Sequence, residues 1–342
     1  MENDGRWARA VRALRLRRGA RRRTKVILAL QGGGSYGAFT WGVLDSLLAD
    51  ERLLIEGISG TSAGAVNAVT LASGLAEGGR EGARAALARV WHAVARAGTL
   101  SPLNLPGAEV PLRVLMHCLS PYQLNPLNLN PLRQVLESTI DFARLRRERP
   151  VKLFLAATSV RTGMSRIIRE DEVTIEAVLA SACLPTISQA VTVEGEQYWD
   201  GGYSSNPPLL APVAACRARE LVLVRLNRSS HDTTPTTARQ IETRAALMVF
   251  QAPLLRELET MAALRHIGPP ARWLARGLVR KVRRLRLHDI GVDQLDHRLT
   301  QTGALNASPS FVEALHDAGA AAGADWLESR FGRRPERARL AA

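Results

Sequence analysis

Ser62 lies at the centre of a Gly-x-Ser-x-Gly pentapeptide, Gly60-Thr61-Ser62-Ala63-Gly64. In a nucleophile elbow this pattern forms a tight strand-to-helix turn that presents the serine hydroxyl above a sheet. The amides at the start of the following helix, including that of Ala63, would point at a developing oxyanion. The pattern therefore predicts a serine nucleophile for acyl transfer, and the alternative is a serine that only caps a helix.

A second glycine-rich turn precedes the pentapeptide, with the sequence GGGSYG at residues 32–37. Glycine exposes backbone amides at the start of a helix, where they can bind anions. One interpretation is the dinucleotide-binding pattern G-x-G-x-x-G, which Glu56 would complete about 20 residues further on. The other is an oxyanion hole whose amides approach a tetrahedral intermediate. Because a ribose-binding strand has no use for Ser62 directly after it, the sequence favours the oxyanion hole.

A candidate base follows a predicted strand, in the sequence Asp200-Gly201-Gly202. An aspartate at a strand end that faces the cleft could take the Ser62 proton directly. The alternative is an ordinary Asp-Gly turn.

A serine–histidine–aspartate triad is the other way to activate Ser62. It would need a histidine after Asp200, in a loop that closes a strong strand. None of the five candidates lies in such a loop, namely His231, His266, His288, His297 and His316. The triad is therefore the weaker hypothesis.

Two strand–turn–helix units position the first two motifs. Residues 25–30 and 54–58 are short apolar runs that predict buried strands, and helical periodicity follows each of them, at residues 36–49 and 65–76. This alternation predicts an α/β fold with a mainly parallel, buried sheet. Residues 77–98 and 174–183 are predicted helices, and further strands are predicted at residues 151–159, 164–169, 191–193, 197–199 and 221–226, the last of which closes the sheet.

Three regions of the chain differ in character. Residues 1–24 form a basic, flexible extension, residues 25–230 carry the motifs, and residues 231–342 are a mostly helical C-terminal extension. Within the extension we predict helices at residues 240–265, 271–281 and 309–330, and residues 283–288 alternate like a strand. Six prolines interrupt residues 99–131, which is typical of a lid or cleft wall, although a plain surface loop is equally compatible.

The glycine turn, the serine pentapeptide and Asp-Gly-Gly, in this order, resemble the patatin-like phospholipase family. The similarity extends to Gly42-Val43-Leu44 and to the sequence ASACLP at residues 180–185, and it covers roughly residues 26–226. The resemblance implies a three-layer αβα sandwich with a mainly parallel central sheet. It also implies a Ser-Asp dyad that hydrolyses acyl esters, often those of lipids.

The resemblance assigns a role to each motif residue. Ser62 is the nucleophile, Asp200 is its base, and the oxyanion hole is lined by Gly32, Gly33 and Gly34. The helix start at Ala63 adds a further expected donor to that hole. The remaining glycines of the three motifs are Gly37, Gly60, Gly64, Gly201 and Gly202. One position departs from the family pattern, because many relatives have a basic residue where this chain has Tyr36.

From these observations we expect a serine-dependent lipid acyl hydrolase that needs no cofactor and no metal. The alternative from another class is a non-catalytic lipid- or membrane-binding protein that retains the fold. Acyl chain length, head group and oligomeric state are left open.

Composition bears on compartment and partners. The 342 residues carry a formal net charge of +14, and arginines crowd residues 6–25 and 271–286. Such segments favour peripheral contact with an anionic membrane surface, and solvated charge is the alternative. No nucleic-acid-binding module accompanies the charge, so no nucleic-acid partner is expected. Three cysteines, an odd number without metal-ligand spacing, indicate a reducing compartment, and we expect a cytoplasmic protein.

Overall fold

A computed structural model describes residues 23–99, 118–228, 233–266, 277–294 and 306–332. Its strands form one eight-stranded sheet in the order β5-β6-β3-β2-β1-β7-β8, with β4 paired to β3. The strands are β1 (Thr24–Leu30), β2 (Leu53–Thr61), β3 (Lys152–Ser159), β4 (Ser165–Arg169), β5 (Val191–Val193), β6 (Glu196–Asp200), β7 (Glu220–Arg225) and β8 (Arg286–Gly291).

The middle of the sheet is parallel, as the apolar runs predict. β3, β2, β1, β7 and β8 are parallel to one another, whereas β4 and β6 pair antiparallel with β3, and β5 pairs antiparallel with β6. Residues Val26 to Leu30 of β1 are wholly buried, and their side chains alternate between two apolar clusters. Val26 and Leu28 belong to the cluster on one face, and Ile27 and Ala29 to the cluster on the other. Both faces of the sheet are therefore covered.

Helices supply the two outer layers. The helices are α1 (Gly37–Ala49), α2 (Ala63–Thr99), α3 (Pro121–Leu124), α4 (Pro131–Thr139), α5 (Phe142–Glu148), α6 (Ile175–Ser181), α7 (Leu210–Ala215), α8 (Ala238–His266), α9 (Leu278–Arg284) and α10 (Pro309–Phe331). Residues of α1, α2 and α10 bury their side chains in the first cluster, and residues of α7, α8 and α9 in the second. The predicted three-layer αβα sandwich is confirmed. α2 breaks at Gly78 and Gly79, where two separate helices were predicted.

The prediction that residues 221–226 close the sheet is wrong. β8 pairs with β7 in parallel, from Glu220 opposite Arg286 to Arg225 opposite Gly291, so the sheet continues into the C-terminal segment. β8 carries the polar residues Arg286, His288 and Asp289, which suits a strand at the edge of the sheet. Helix α10 then packs along α1, and both strand and helix therefore form part of the sandwich.

Some of the sequence predictions concern residues outside the described ranges. Residues 1–22 of the basic extension, residues 100–117 of the proline-rich segment and residues 271–276 lie outside the described residues. Among the described helices, none combines the length and the apolar character needed to cross a bilayer.

Candidate active site

Ser62 sits on a sharp turn between β2 and α2. β2 ends at Thr61, α2 begins at Ala63, and Ser62 between them has a positive φ of 55°. A non-glycine residue with such a φ is strained and is kept only where its surroundings impose it. The flanking glycines allow it, because a Cβ at Gly60 would lie 2.6 Å from the carbonyl carbon of Gly64. The tight strand-to-helix turn that the pentapeptide predicts is therefore present.

Two hydrogen bonds fix the turn to other parts of the chain. The amide of Ser62 donates to the hydroxyl oxygen of Ser181, at 3.1 Å, and Ser181 is wholly buried at the end of α6. The hydroxyl of Thr61 donates to the carbonyl oxygen of Ser205, at 2.7 Å. The turn is thus held from both sides by buried partners.

Asp200 is brought to Ser62 by the register of three strands. Thr61 at the end of β2 lies opposite Ala156 of β3, and Asp200 at the end of β6 lies opposite Ala157. β4 pairs with residues 154–158 of β3, a stretch that overlaps both of these pairings, so β4 must occupy the opposite edge of β3 from β2 and from β6. β6 must therefore lie on the edge that β2 occupies, so the ends of β2 and β6 meet beside adjacent residues of β3.

The Asp200 carboxyl is 0% exposed, and its Oδ1 accepts the amide of Gly202 at 2.7 Å. Burial raises its pKa from the ordinary value of 3.8 to about 7, while the Gly202 amide and the Ser62 hydroxyl act in the opposite direction. The Ser62 hydroxyl makes no hydrogen bond of normal geometry with this carboxyl, and Oδ2 has no partner in the described part of the chain. Catalytic hydrogen bonds are often long without substrate.

The glycine turn lies against the elbow. A Cβ at Gly32 would lie 2.9 Å from Cβ of Ser62, and one at Gly37 would lie 2.7 Å from Cβ of Ala63. Gly34, with a φ of 59°, begins a 3₁₀ turn over Gly34–Tyr36 that leads into α1. This close approach requires residues without side chains.

The three glycines differ in what their amides do. The Gly32 amide donates to Oδ1 of Asn206 at 2.7 Å. This corrects the expectation that Gly32 offers an oxyanion donor, because its N–H is already used. The amides of Gly33, Gly34 and Ala63 have no hydrogen-bond partner among the described residues, as at other helix starts.

No described histidine hydrogen bonds with Ser62 or Asp200. His288 contacts Glu220 at 2.5 Å, at the opposite end of the strands, and His316 stacks on Trp41. His266 is the last residue of α8, and His231 and His297 lie outside the described residues. Glu56, the acid of the dinucleotide interpretation, accepts the amide of Arg217.

Sequence reasoning missed three residues of the site. Ser181 and Asn206 are wholly buried and hydrogen bond with the elbow and with the glycine turn, and Thr61 joins the elbow to Ser205. An asparagine between Asp-Gly-Gly and Pro-Pro was a visible signal for Asn206. Its partner is 174 residues away, however, and no local pattern indicates such a contact.

Solved structures resemble this chain at low sequence identity. VipD from Legionella pneumophila matches 90% of this chain, which spans 67% of VipD, at 13% identity and a TM-score of 0.41. The type III effector protein ExoU matches 89% of this chain, which spans 53% of ExoU, at 15% identity and a TM-score of 0.36. Full-length ExoU from Pseudomonas aeruginosa, in complex with full-length SpcU, matches 72% of this chain, which spans 57% of the matched chain, at 16% identity and a TM-score of 0.29. At these values no conclusion about activity or partners follows from the likeness.

A family model decides the relationship. No curated protein matches the chain. The model described as patatin-like phospholipase matches residues 28–213, which is more than half of the sequence and includes the glycine turn, the elbow and Asp200. The family supports a lipid acyl hydrolase, and the chain belongs to the patatin-like phospholipase family.

Proposed function

We propose that the protein hydrolyses carboxylic esters of lipids through an acyl-enzyme on Ser62, with Asp200 as the base. The observation that carries the proposal is the meeting of the β2 and β6 ends beside β3, which brings a serine with a strained backbone to a buried carboxyl. A carboxyl with a pKa of about 7 is well matched to general base catalysis near neutral pH.

In the proposed mechanism, Ser62 Oγ attacks the ester carbonyl carbon while Asp200 takes the hydroxyl proton. The carbonyl oxygen becomes an oxyanion that accepts hydrogen bonds from the amides of Gly33, Gly34 and Ala63. The tetrahedral intermediate collapses, the C–O bond to the alcohol breaks, and Asp200 returns the proton to the leaving oxygen. Water then attacks the acyl-enzyme, again giving its proton to Asp200, and Ser62 recovers a proton as the fatty acid leaves.

Exposed apolar side chains on a segment that hydrogen bonds link to Asp200 support a lipid substrate. Leu127 and Leu129 follow the short helix α3 and are 79% and 67% exposed. Their segment is fastened near the site, because the Gln189 side chain donates to the carbonyl oxygen of Asn125 at 2.7 Å. The carbonyl oxygen of Gln189 in turn accepts the thiol of Cys183, whose own carbonyl accepts the amide of Asp200. An apolar surface of this kind suits acyl chains or the surface of an aggregated lipid.

The double substitution Leu127→Asp/Leu129→Asp is expected to lower hydrolysis of vesicle or micelle substrates about tenfold, the equivalent of roughly 1.4 kcal/mol of lost interfacial contact. Turnover of a soluble short-chain ester should stay within about twofold, since neither residue is placed in the catalytic machinery. Leu54→Asp is the matched control, because Leu54 is also exposed but lies at the start of β2, at the far end of the strands from Ser62. Equal losses on both substrates would contradict a role in lipid contact.

Labelling with a fluorophosphonate tests the proposed function directly. The adduct should map to Ser62 by mass spectrometry, disappear in Ser62→Ala and form much more slowly in Asp200→Asn. If no serine is labelled even in the presence of lipid, the protein is better explained as a non-catalytic lipid-binding member of the fold.

A further inference from the structure

Asn206 is a wholly buried residue that the mechanism above does not use. Both ends of its side-chain amide are engaged. Oδ1 accepts the Gly32 amide at 2.7 Å, and Nδ2 donates to the carbonyl oxygen of Phe250 in α8 at 3.1 Å. Asn206 therefore joins the glycine turn to helix α8.

The Gly32 amide is held close to Ser62 by this bond. A Cβ at Gly32 would lie 2.8 Å from the Thr61 carbonyl oxygen, 2.9 Å from Cβ of Ser62 and 3.1 Å from Oδ1 of Asn206. Gly32 is thus enclosed between the elbow and Asn206. Because the Gly32 amide donates to Asn206, the amides of Gly33 and Gly34 are the ones in this turn that a ligand can use.

The segment that carries Asn206 is itself firmly attached. Its neighbour Ser205 accepts the hydroxyl of Thr61 through its carbonyl, and donates through its own hydroxyl to Glu257 at 3.2 Å. The Glu257 carboxylate also accepts the amides of Leu209 and Leu210, at 2.7 and 2.8 Å. Asp200 begins the same segment, so the proposed base and Asn206 share one support.

We propose that Asn206 is a positioning residue for the oxyanion hole. By binding the Gly32 amide, it fixes the turn so that the amides of Gly33 and Gly34 point at the oxygen of a substrate on Ser62. Its effect falls on the transition state, where the oxyanion exists, and not on ground-state binding. This inference rests on the proposed function.

A purely structural role predicts something different. Removing the buried side-chain amide leaves the Gly32 N–H and the Phe250 carbonyl unpaired, which destabilises the folded state. Such a loss lowers the melting temperature but leaves the turnover of the folded enzyme unchanged. The two roles are therefore separated by kcat measured well below the melting temperature.

The test compares Asn206→Ala with Glu220→Ala on a soluble ester. Glu220 is also buried, and its carboxylate joins β7 to His288 of β8 and to Arg330 of α10, at the end of the strands far from Ser62. Both variants should melt earlier than the wild type. Asn206→Ala should lower kcat roughly 10²-fold, the size of losing one oxyanion donor, with KM within about threefold. Glu220→Ala should keep kcat within about threefold of the wild type.

Asn206→Asp provides a rescue and a second route if the alanine variant does not fold. Its carboxyl keeps the acceptor for Gly32 and, when protonated, a donor for Phe250. Its kcat relative to the wild type should therefore rise towards acid pH. A ratio that is flat with pH and near one, or an Asn206→Ala enzyme with unchanged kcat, would overturn the inference. Loss of Ser62 labelling in the wild type would instead reject the proposed function.

Discussion

Replacement of Asp200 by asparagine is expected to lower kcat roughly 10²–10⁴-fold, the range for loss of a general base, and yet to make the folded protein more stable at pH 8. Asparagine has nearly the shape of aspartate, and its Oδ1 can still accept the Gly202 amide. It cannot take the Ser62 proton, which explains the kinetic loss. It also carries no charge, and the buried charge is what destabilises the wild type.

The gain in stability follows from the direction of the pKa shift. Asp200 is an acid whose pKa is raised in the folded protein, from 3.8 to about 7. Between these values the folded state holds a proton that the unfolded state has lost, so the free energy of unfolding falls as the pH rises through this window. At about 1.4 kcal/mol per pH unit, the full penalty above pH 7 is at most about 4 kcal/mol. The asparagine variant avoids it.

Two measurements check this prediction. For a non-ionisable ester, kcat/KM of the wild type should fall about tenfold per pH unit below pH 7, because the base must be ionised to act. Urea unfolding should show Asp200→Asn to be more stable than the wild type at pH 8 and equal to it near pH 4. Asp325→Asn, an exposed carboxylate of α10, is the control and should change neither quantity. A flat pH profile between pH 5 and 8 would exclude Asp200 as the base.

The parts of this site that sequence predicts are those whose physics is local. The elbow needs only a strand, small flanking residues and a helix start, and all three are adjacent in the chain. β1 and β7 are buried on both faces, so their apolar runs identify them without knowledge of their partners. The three motifs were recognisable for the same reason, because each is a short run of adjacent residues.

What sequence could not predict depends on contacts between distant residues. Asp200 reaches Ser62 only because β3 pairs with β2 and β6 along one edge, a matter of register that no single segment encodes. The bond from Gly32 to Asn206 spans 174 residues, and it changes which amides are available. β8 was missed as part of the sheet because an edge strand rich in polar residues does not differ from a surface segment until its neighbour is known.

The packing of α10 against α1 is the largest such contact, and glycines make it possible. A Cβ at Gly42 of α1 would lie 2.7 Å from the amide nitrogen of Ala320, and a Cβ at Gly319 of α10 would lie 2.8 Å from the carbonyl carbon of Phe39. Backbone atoms cannot rotate away as a side chain can. The helices would have to separate to admit even a methyl group.

We expect Gly42→Ala and Gly319→Ala each to lower the free energy of unfolding by about 2–3 kcal/mol, although alanine is the better helix former. Intrinsic propensity favours alanine over glycine by about 1 kcal/mol inside a helix. Overpacking a close interface costs roughly 1–3 kcal/mol, and more where backbone is displaced, so the steric term decides the sign. Gly78→Ala is the control, because nothing lies within 4 Å of its Cβ position, and it should change stability by less than about 1 kcal/mol.

Urea unfolding of the three variants, with activity on a soluble ester measured in parallel, distinguishes two views of the C-terminal helix. α1 begins directly after the glycine turn, so a displaced α1 should also disturb the amides proposed to hold the oxyanion, and activity should fall together with stability. If both interface variants were instead as stable as Gly78→Ala and fully active, α10 would not be packed closely on α1. The C-terminal segment would then be an appendage to the catalytic fold and not part of what positions Ser62.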